Sequence, residues 1–250
     1  MTPQGRFAEL ARTEQRGAMV TALEGPAAGA KILVLPDGTR DGSLGSPELD
    51  DEAARLADEL MWSERSEKRG DLFVDVTFPP PRLIIFGAID FAAQLCTLAR
   101  TSGWHPYVSD PRGFFARADR FPDAEEVIAA WPQETFDRLG GIDRATSIAV
   151  LTHDPKLDDA ALTIALRSDA AYVGAMGSKR AQEKRRERLV AQGITDAELE
   201  RLNAPIGLDI GALTPEETAL SIMSEVVAHR RGREGGRLAH ARGRIHEVEA

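Results

Sequence analysis

Leu83-Ile84-Ile85-Phe86-Gly87-Ala88-Ile89-Asp90-Phe91-Ala92 is the stretch that decides the fold. Four consecutive apolar residues with no polar alternation predict a short strand buried on both faces. Gly87 ends it, and Ala92, Leu95, Cys96 and Ala99 follow at helical spacing. A strand that passes through a glycine turn into a helix is the opening unit of a doubly wound sheet. The alternation continues downstream, with strands expected at 104–108, 126–130, 147–151 and 171–173 and helices at 132–139, 157–166 and 178–191. Thr195-x-x-Glu198 and Thr214-Pro215-Glu216-Glu217 are capping-box starts. Behind the second, Ala219, Ile222, Met223, Val226 and Val227 fall on one helical face. Residues 83–230 therefore read as an α/β unit, a Rossmann-like doubly wound parallel sheet.

Upstream, Thr77-Phe78-Pro79-Pro80-Pro81-Arg82 cannot continue a helix or enter a central strand, so 77–82 reads as a stiff connector. Residues 1–76 fit a small α+β domain, with β-type runs at 18–23, 31–35 and 72–76 and an acidic helix at 48–60. Residues 231–250 mix Gly and Arg with little apolar content and read as a flexible tail.

Composition bounds the job. With 42% apolar and 28% charged residues among 250, the chain can bury a substantial core. No run approaches the roughly 20 apolar residues of a membrane span, and the start lacks a secretory h-region, so a soluble cytoplasmic protein is expected. One cysteine, Cys96, excludes an internal disulfide and a multi-cysteine metal site, and its apolar neighbours predict a buried small hydrophobe. A net charge of −9 and 6% aromatics speak against a nucleic-acid partner. Trp62, Trp104 and Trp131 are scattered and read as core or interface residues.

Ligands of such a sheet bind beyond the carboxyl ends of its strands. That rule gathers Gly87, Asp110, Thr152, His153, Asp154, Gly174, Gly177, Ser178, Lys179, Arg180 and Asp209 as candidates. The first turn is a poor dinucleotide fingerprint. Gly87 and Ala92 suit it, but Ile89 stands where a glycine admits the pyrophosphate, and Asp90 adds negative charge. NAD(P) binding is therefore disfavoured, although Asp110, 23 residues past Gly87, has the spacing of a ribose-binding acid. The fifth turn is better suited to an anion, with two glycines, a serine and two cations at a helix start. Lys184, Arg185, Arg186 and Arg188 either extend that basic character or form a solvated face balanced by Glu183 and Glu187. His153 can donate to phosphate or move a proton, with Asp154 either fixing its tautomer or capping the next helix. No complete catalytic set is present.

Four blocks resemble the XdhC/CoxI family, the xanthine dehydrogenase accessory factors. They are Pro79 to Ala88, Leu151 to Asp158, Tyr172 to Arg180, and Ala204 to Ala212 with Thr214-Pro215-Glu216-Glu217. The stretch from Ala28 to Leu49 is similar to the family's small N-terminal domain. The resemblance implies a maturation chaperone more than an enzyme. Its cargo would be the molybdenum cofactor (molybdopterin), and its partners a xanthine dehydrogenase-type molybdenum hydroxylase and a cysteine desulfurase. It also implies a homodimer. Two positions depart from the family pattern: Ile89-Asp90 replace a Gly-His pair, and Ser46-Pro47-Glu48 stands where a Gly-Gly-Cys stretch is usual. The alternatives carried forward are an NAD(P)-dependent oxidoreductase and a partner protein of a molybdenum hydroxylase that binds no ligand.

Overall fold

The computed structural model describes residues 1–241, so the last nine residues of the tail expected at 231–250 lie outside the described residues. Two compact units divide the chain between Pro80 and Pro81, inside the proline connector. No helix among the described residues is long and apolar enough to cross a membrane.

The first unit runs α1 (Pro3–Arg12), β1 (Gly17–Ala22), β2 (Lys31–Val34), β3 (Arg40–Ser43), α2 (Pro47–Ser63), β4 (Glu67–Arg69) and β5 (Leu72–Thr77). Its strands form an antiparallel sheet in the order β3-β2-β1-β5-β4. Ser46 caps α2 by accepting from Leu49 N–H, with Pro47 at the first helical position and Glu48 and Asp50 in the first turn. Ala53, Leu56, Ala57, Leu60 and Met61 then face inward and pack on Ala18, Val20, Ile32, Val34 and Val74 of the sheet. Sequence patterning missed α1, β3 and β4. The two strands are edge strands made of Arg-Asp-Gly-Ser and Glu-Lys-Arg, with no apolar face to show a period. For α1 the signal was Thr2 followed by Pro3, a cap that accepts from Gly5 N–H.

The second unit runs β6 (Arg82–Phe86), α3 (Asp90–Thr101), β7 (His105–Ser109), β8 (Glu126–Ile128), α4 (Pro132–Arg138), β9 (Thr146–Val150), α5 (Pro155–Arg167), β10 (Tyr172–Ala175), α6 (Lys179–Ala191), α7 (Asp196–Leu199), β11 (Leu202–Asn203) and α8 (Pro215–Arg230). All six strands are parallel, in the order β11-β10-β9-β6-β7-β8. The order reverses between β6 and β9, the switch point of a Rossmann sheet. Both faces are covered, which explains the unbroken apolar runs. Leu83, Ile85 and Ala149 meet α3 and α8 on one side, while Ile84, Phe86, Ile148 and Val150 meet α4 and α5 on the other. Val227 departs from the expected apolar face of α8 and is exposed. Trp104 is buried, but Trp131, at the N-cap of α4, is largely exposed. The third strand stops at Ile128, two residues earlier than its sequence suggests.

Candidate functional site at the carboxyl edge of the parallel sheet

The opening turn is closed by its own chain. Gly87 has φ +113°, and a Cβ there would lie 3.0 Å from Thr152 Cγ2 and 3.1 Å from Thr152 N, so only glycine fits. Ala88 N–H, a group that could face a phosphate, donates to Asp110 Oδ2 at 3.0 Å, and Ile89 N–H turns back to Gly87 O. Ile89 itself is extended (φ −109°, ψ 170°) and packs partly buried against the core, so it carries no backbone strain. Its obstacle to a ligand is bulk. Asp90 lies 3.2 Å from Arg120, whose other nitrogen donates to Ala88 O and Phe115 O at 3.0 Å each. Arg120 thus straps the loop after β7 to the first turn.

Asp110 is fully buried, and its carboxylate is engaged within its own chain. Arg112 donates to it through Nε (2.9 Å), Nη2 (2.7 Å) and its backbone N–H (3.0 Å). Burial pushes this carboxyl up, but the hydrogen bonds from Arg112 and Ala88 outweigh it and hold it below the usual aspartate range.

A buried polar chain links the fourth and fifth turns. Thr152 Oγ1 donates to Asp158 Oδ1 at 2.7 Å and accepts from Asp154 N–H at 2.9 Å. Asp158 Oδ2 accepts from Arg185 Nη2 at 2.7 Å, and the same nitrogen donates to Met176 O at 3.0 Å. Burial pushes the Asp158 carboxyl up, and the bonds from Arg185 and Thr152 offset part of that. Arg185 is therefore neither a ligand-facing cation nor part of a solvated face, the two roles its sequence allowed. It is 3% exposed and supports the turn from beneath. Arg188 forks onto Asp159 at 2.7 and 3.0 Å, and Arg186 pairs with Asp196. Asp154 caps α5 by accepting from Lys156 N–H at 2.9 Å, while His153 beside it is exposed.

The fifth turn keeps its donors outward. Gly174 is a packing glycine, since a Cβ there would meet Ile206 Cδ1 and Tyr172 Oη at 2.6 Å. Gly177 takes φ +139°, which no L side chain adopts readily, and delivers Ser178 to the N-cap of α6, where its Oγ accepts from Ala181 N–H at 3.2 Å. Lys179 and Arg180, the first two residues of the helix, are exposed and enter no hydrogen bond or ion pair through their side chains among the described residues. Their N–H groups lack intrahelical acceptors. Next to this turn, Gly207 N–H donates to Glu225 at 2.8 Å, Ser221 Oγ donates to Leu208 O at 2.6 Å, and the phenol of buried Tyr172 donates to Glu225. Burial and that carboxylate push the phenol far up. These contacts fix the segment that carries exposed Asp209.

The structure thus separates the predicted residues into supports (Gly87, Asp110, Thr152, Asp154, Gly174, Gly177) and outward groups (His153, Ser178, Lys179, Arg180, Asp209). Sequence reading missed Arg120, Asp158, Arg185 and Glu225 as organising residues. No group of three His, Cys, Asp or Glu among the described residues is arranged to hold a metal ion. Burial pushes the Cys96 thiol up to about 12, so it is inert as a nucleophile.

Residues 83–226 match the family described as the XdhC Rossmann domain. The chain is 29% identical over 161 residues to a probable xanthine dehydrogenase subunit from Bacillus subtilis strain 168, covering 64% of this chain and 46% of that one. It is 26% identical over 152 residues to the molybdenum cofactor insertion chaperone PaoD of Escherichia coli K12, covering 61% and 41%. A crystal structure described as a xanthine dehydrogenase from Bacillus halodurans superposes with a TM-score of 0.63 at 26% identity, covering 92% of this chain and 66% of that one. The chain spans under half the length of these two curated relatives. A parallel sheet in this order and a family match across nearly all of it lead to one conclusion: the chain belongs to the XdhC Rossmann domain family.

Proposed function

We propose that the chain is an accessory factor that binds molybdenum cofactor as cargo and passes it to a xanthine dehydrogenase-type molybdenum hydroxylase. The observation that carries this reading is the contrast between two turns on one sheet edge. At the first, Ala88 N–H and the Asp110 carboxylate are engaged internally. At the fifth, two helix-start N–H groups and the cations of Lys179 and Arg180 are unengaged. The terminal phosphate of a molybdopterin, or its dinucleotide extension, suits the fifth turn. Ser178, Lys179 and Arg180 hold the phosphate, His153 and Asp209 border the site, and Gly87, Asp110, Thr152, Asp154, Gly174 and Gly177 shape the turns around it. The names of the relatives, an insertion chaperone and a component of a xanthine dehydrogenase, support the same cargo and client. Sulfur for the cofactor comes from a partner such as a cysteine desulfurase, because the one thiol of this chain is buried and protonated.

The test is retention of pterin after co-expression with cofactor synthesis. Iodine oxidation of purified protein is expected to release a fluorescent pterin, and Lys179→Ala with Arg180→Ala is expected to reduce the yield about tenfold. A blank wild-type sample rejects the cargo reading. Undiminished pterin in the double variant rejects the site. NADH is expected to give no fluorescence transfer and no heat on titration.

A further inference from the structure

The first unit carries a hollow that the cargo site does not involve. On the sheet face opposite α2, strand register lines up two rows: Lys31, Thr21 and Phe73, then Leu33, Met19 and Asp75. Met19 and Leu33 are buried, whereas Phe73 and neighbouring Leu23 stay 37% and 42% exposed. Met19, Leu23 and Phe73, with half-buried Phe7 of α1, line an open depression of about 380 Å³. Exposed aromatic and aliphatic groups gathered in a concave place favour an apolar guest.

Opposite charges border this apolar floor. Lys31 Nζ donates to Thr21 Oγ1 at 2.7 Å, which draws the ammonium over β1 and leaves it two further N–H donors. Asp75 accepts from Ser66 Oγ through Oδ1 at 3.0 Å, and its Oδ2 makes no hydrogen bond among the described residues. Lys31 and Asp75 form no ion pair with each other. From a position above β1, the remaining offset to Asp75 is one strand spacing and two residues, about 8 Å.

We propose that this hollow binds a free α-amino acid with an apolar side chain, carboxylate on Lys31, ammonium on Asp75 and side chain over Met19, Phe7 and Phe73. The lengths agree. Two hydrogen bonds of about 2.8 Å, with roughly 3 Å between the nitrogen and carboxylate oxygens of an amino acid, span roughly 8–9 Å. A peptide terminus would answer one of the two charges, and a neutral apolar molecule neither.

The probe is L-norleucine, titrated into the full chain carrying 13C-labelled methionine methyls and read at the ε-methyl of Met19. The expected result is a saturable shift with a dissociation constant of about 1 mM or tighter. Lys31→Met and Asp75→Asn each weaken it at least about tenfold while the melting temperature holds. Hexanoate and hexylamine, which keep one charge each, bind at least about tenfold more weakly to the unaltered protein, a comparison that stands even if a variant misfolds. No saturable shift up to about 20 mM norleucine, or an equal response to the two single-charge probes, overturns the proposal.

Discussion

Asp110 shows how one residue can sit where a fingerprint wants it and do other work. Its spacing from Gly87 is that of a ribose ligand, yet Arg112 and Ala88 N–H already engage both oxygens. Its folded-state pKa is lowered, so the unfolded chain takes up the proton first. The stability it contributes is complete above the unfolded value, about pH 4, and is lost as pH falls through the lower folded value. Asp110→Asn is expected to cost about 2 kcal/mol at pH 7 and to flatten the stability curve below about pH 4, measured as urea midpoints across that range. Gly87→Ala forces a Cβ onto Thr152 at positive φ and is expected to cost about 2 kcal/mol in the same measurement. Both residues were visible in the sequence, but the contacts of Asp110 with Ala88 and of Gly87 with Thr152 were not, because they exist only when β6, β7 and β9 align.

Between α5 and α6 the buried pair Asp158–Arg185 carries the turn that presents Ser178. Removing one partner leaves a buried charge uncompensated, so Asp158→Asn is expected to cost about 3 kcal/mol. Asp158→Leu with Arg185→Met should cost clearly less than the sum of its single changes, as read by a double-mutant cycle in denaturant. An additive cycle would mean that the pair is not coupled. The helix at 178–191 was expected from the sequence, but periodicity could not reveal this buried pair. α6 buries only Arg185 and Leu189 among 13 residues, and an arginine at a core-facing position counts as polar in any apolar pattern. By contrast, the capping boxes of α7 and α8 were legible because each lies within four consecutive residues, and both form as written.

Across the whole molecule, each unit closes a core of its own. The first packs its sheet on α2, and the second buries both faces of its parallel sheet. Residues 1–80 expressed alone are therefore expected to fold, giving dispersed amide resonances and a cooperative urea transition; a collapsed spectrum would contradict that. The sequence by itself determined the strand–helix alternation, the proline break and the serine-capped helix start of the fifth turn, because each rests on neighbours within a few residues. Only the tertiary structure decided which acids and cations face outward. Asp110, Asp158 and Arg185 meet partners up to 27 residues away, and no local pattern tells a buried, paired charge from a free one.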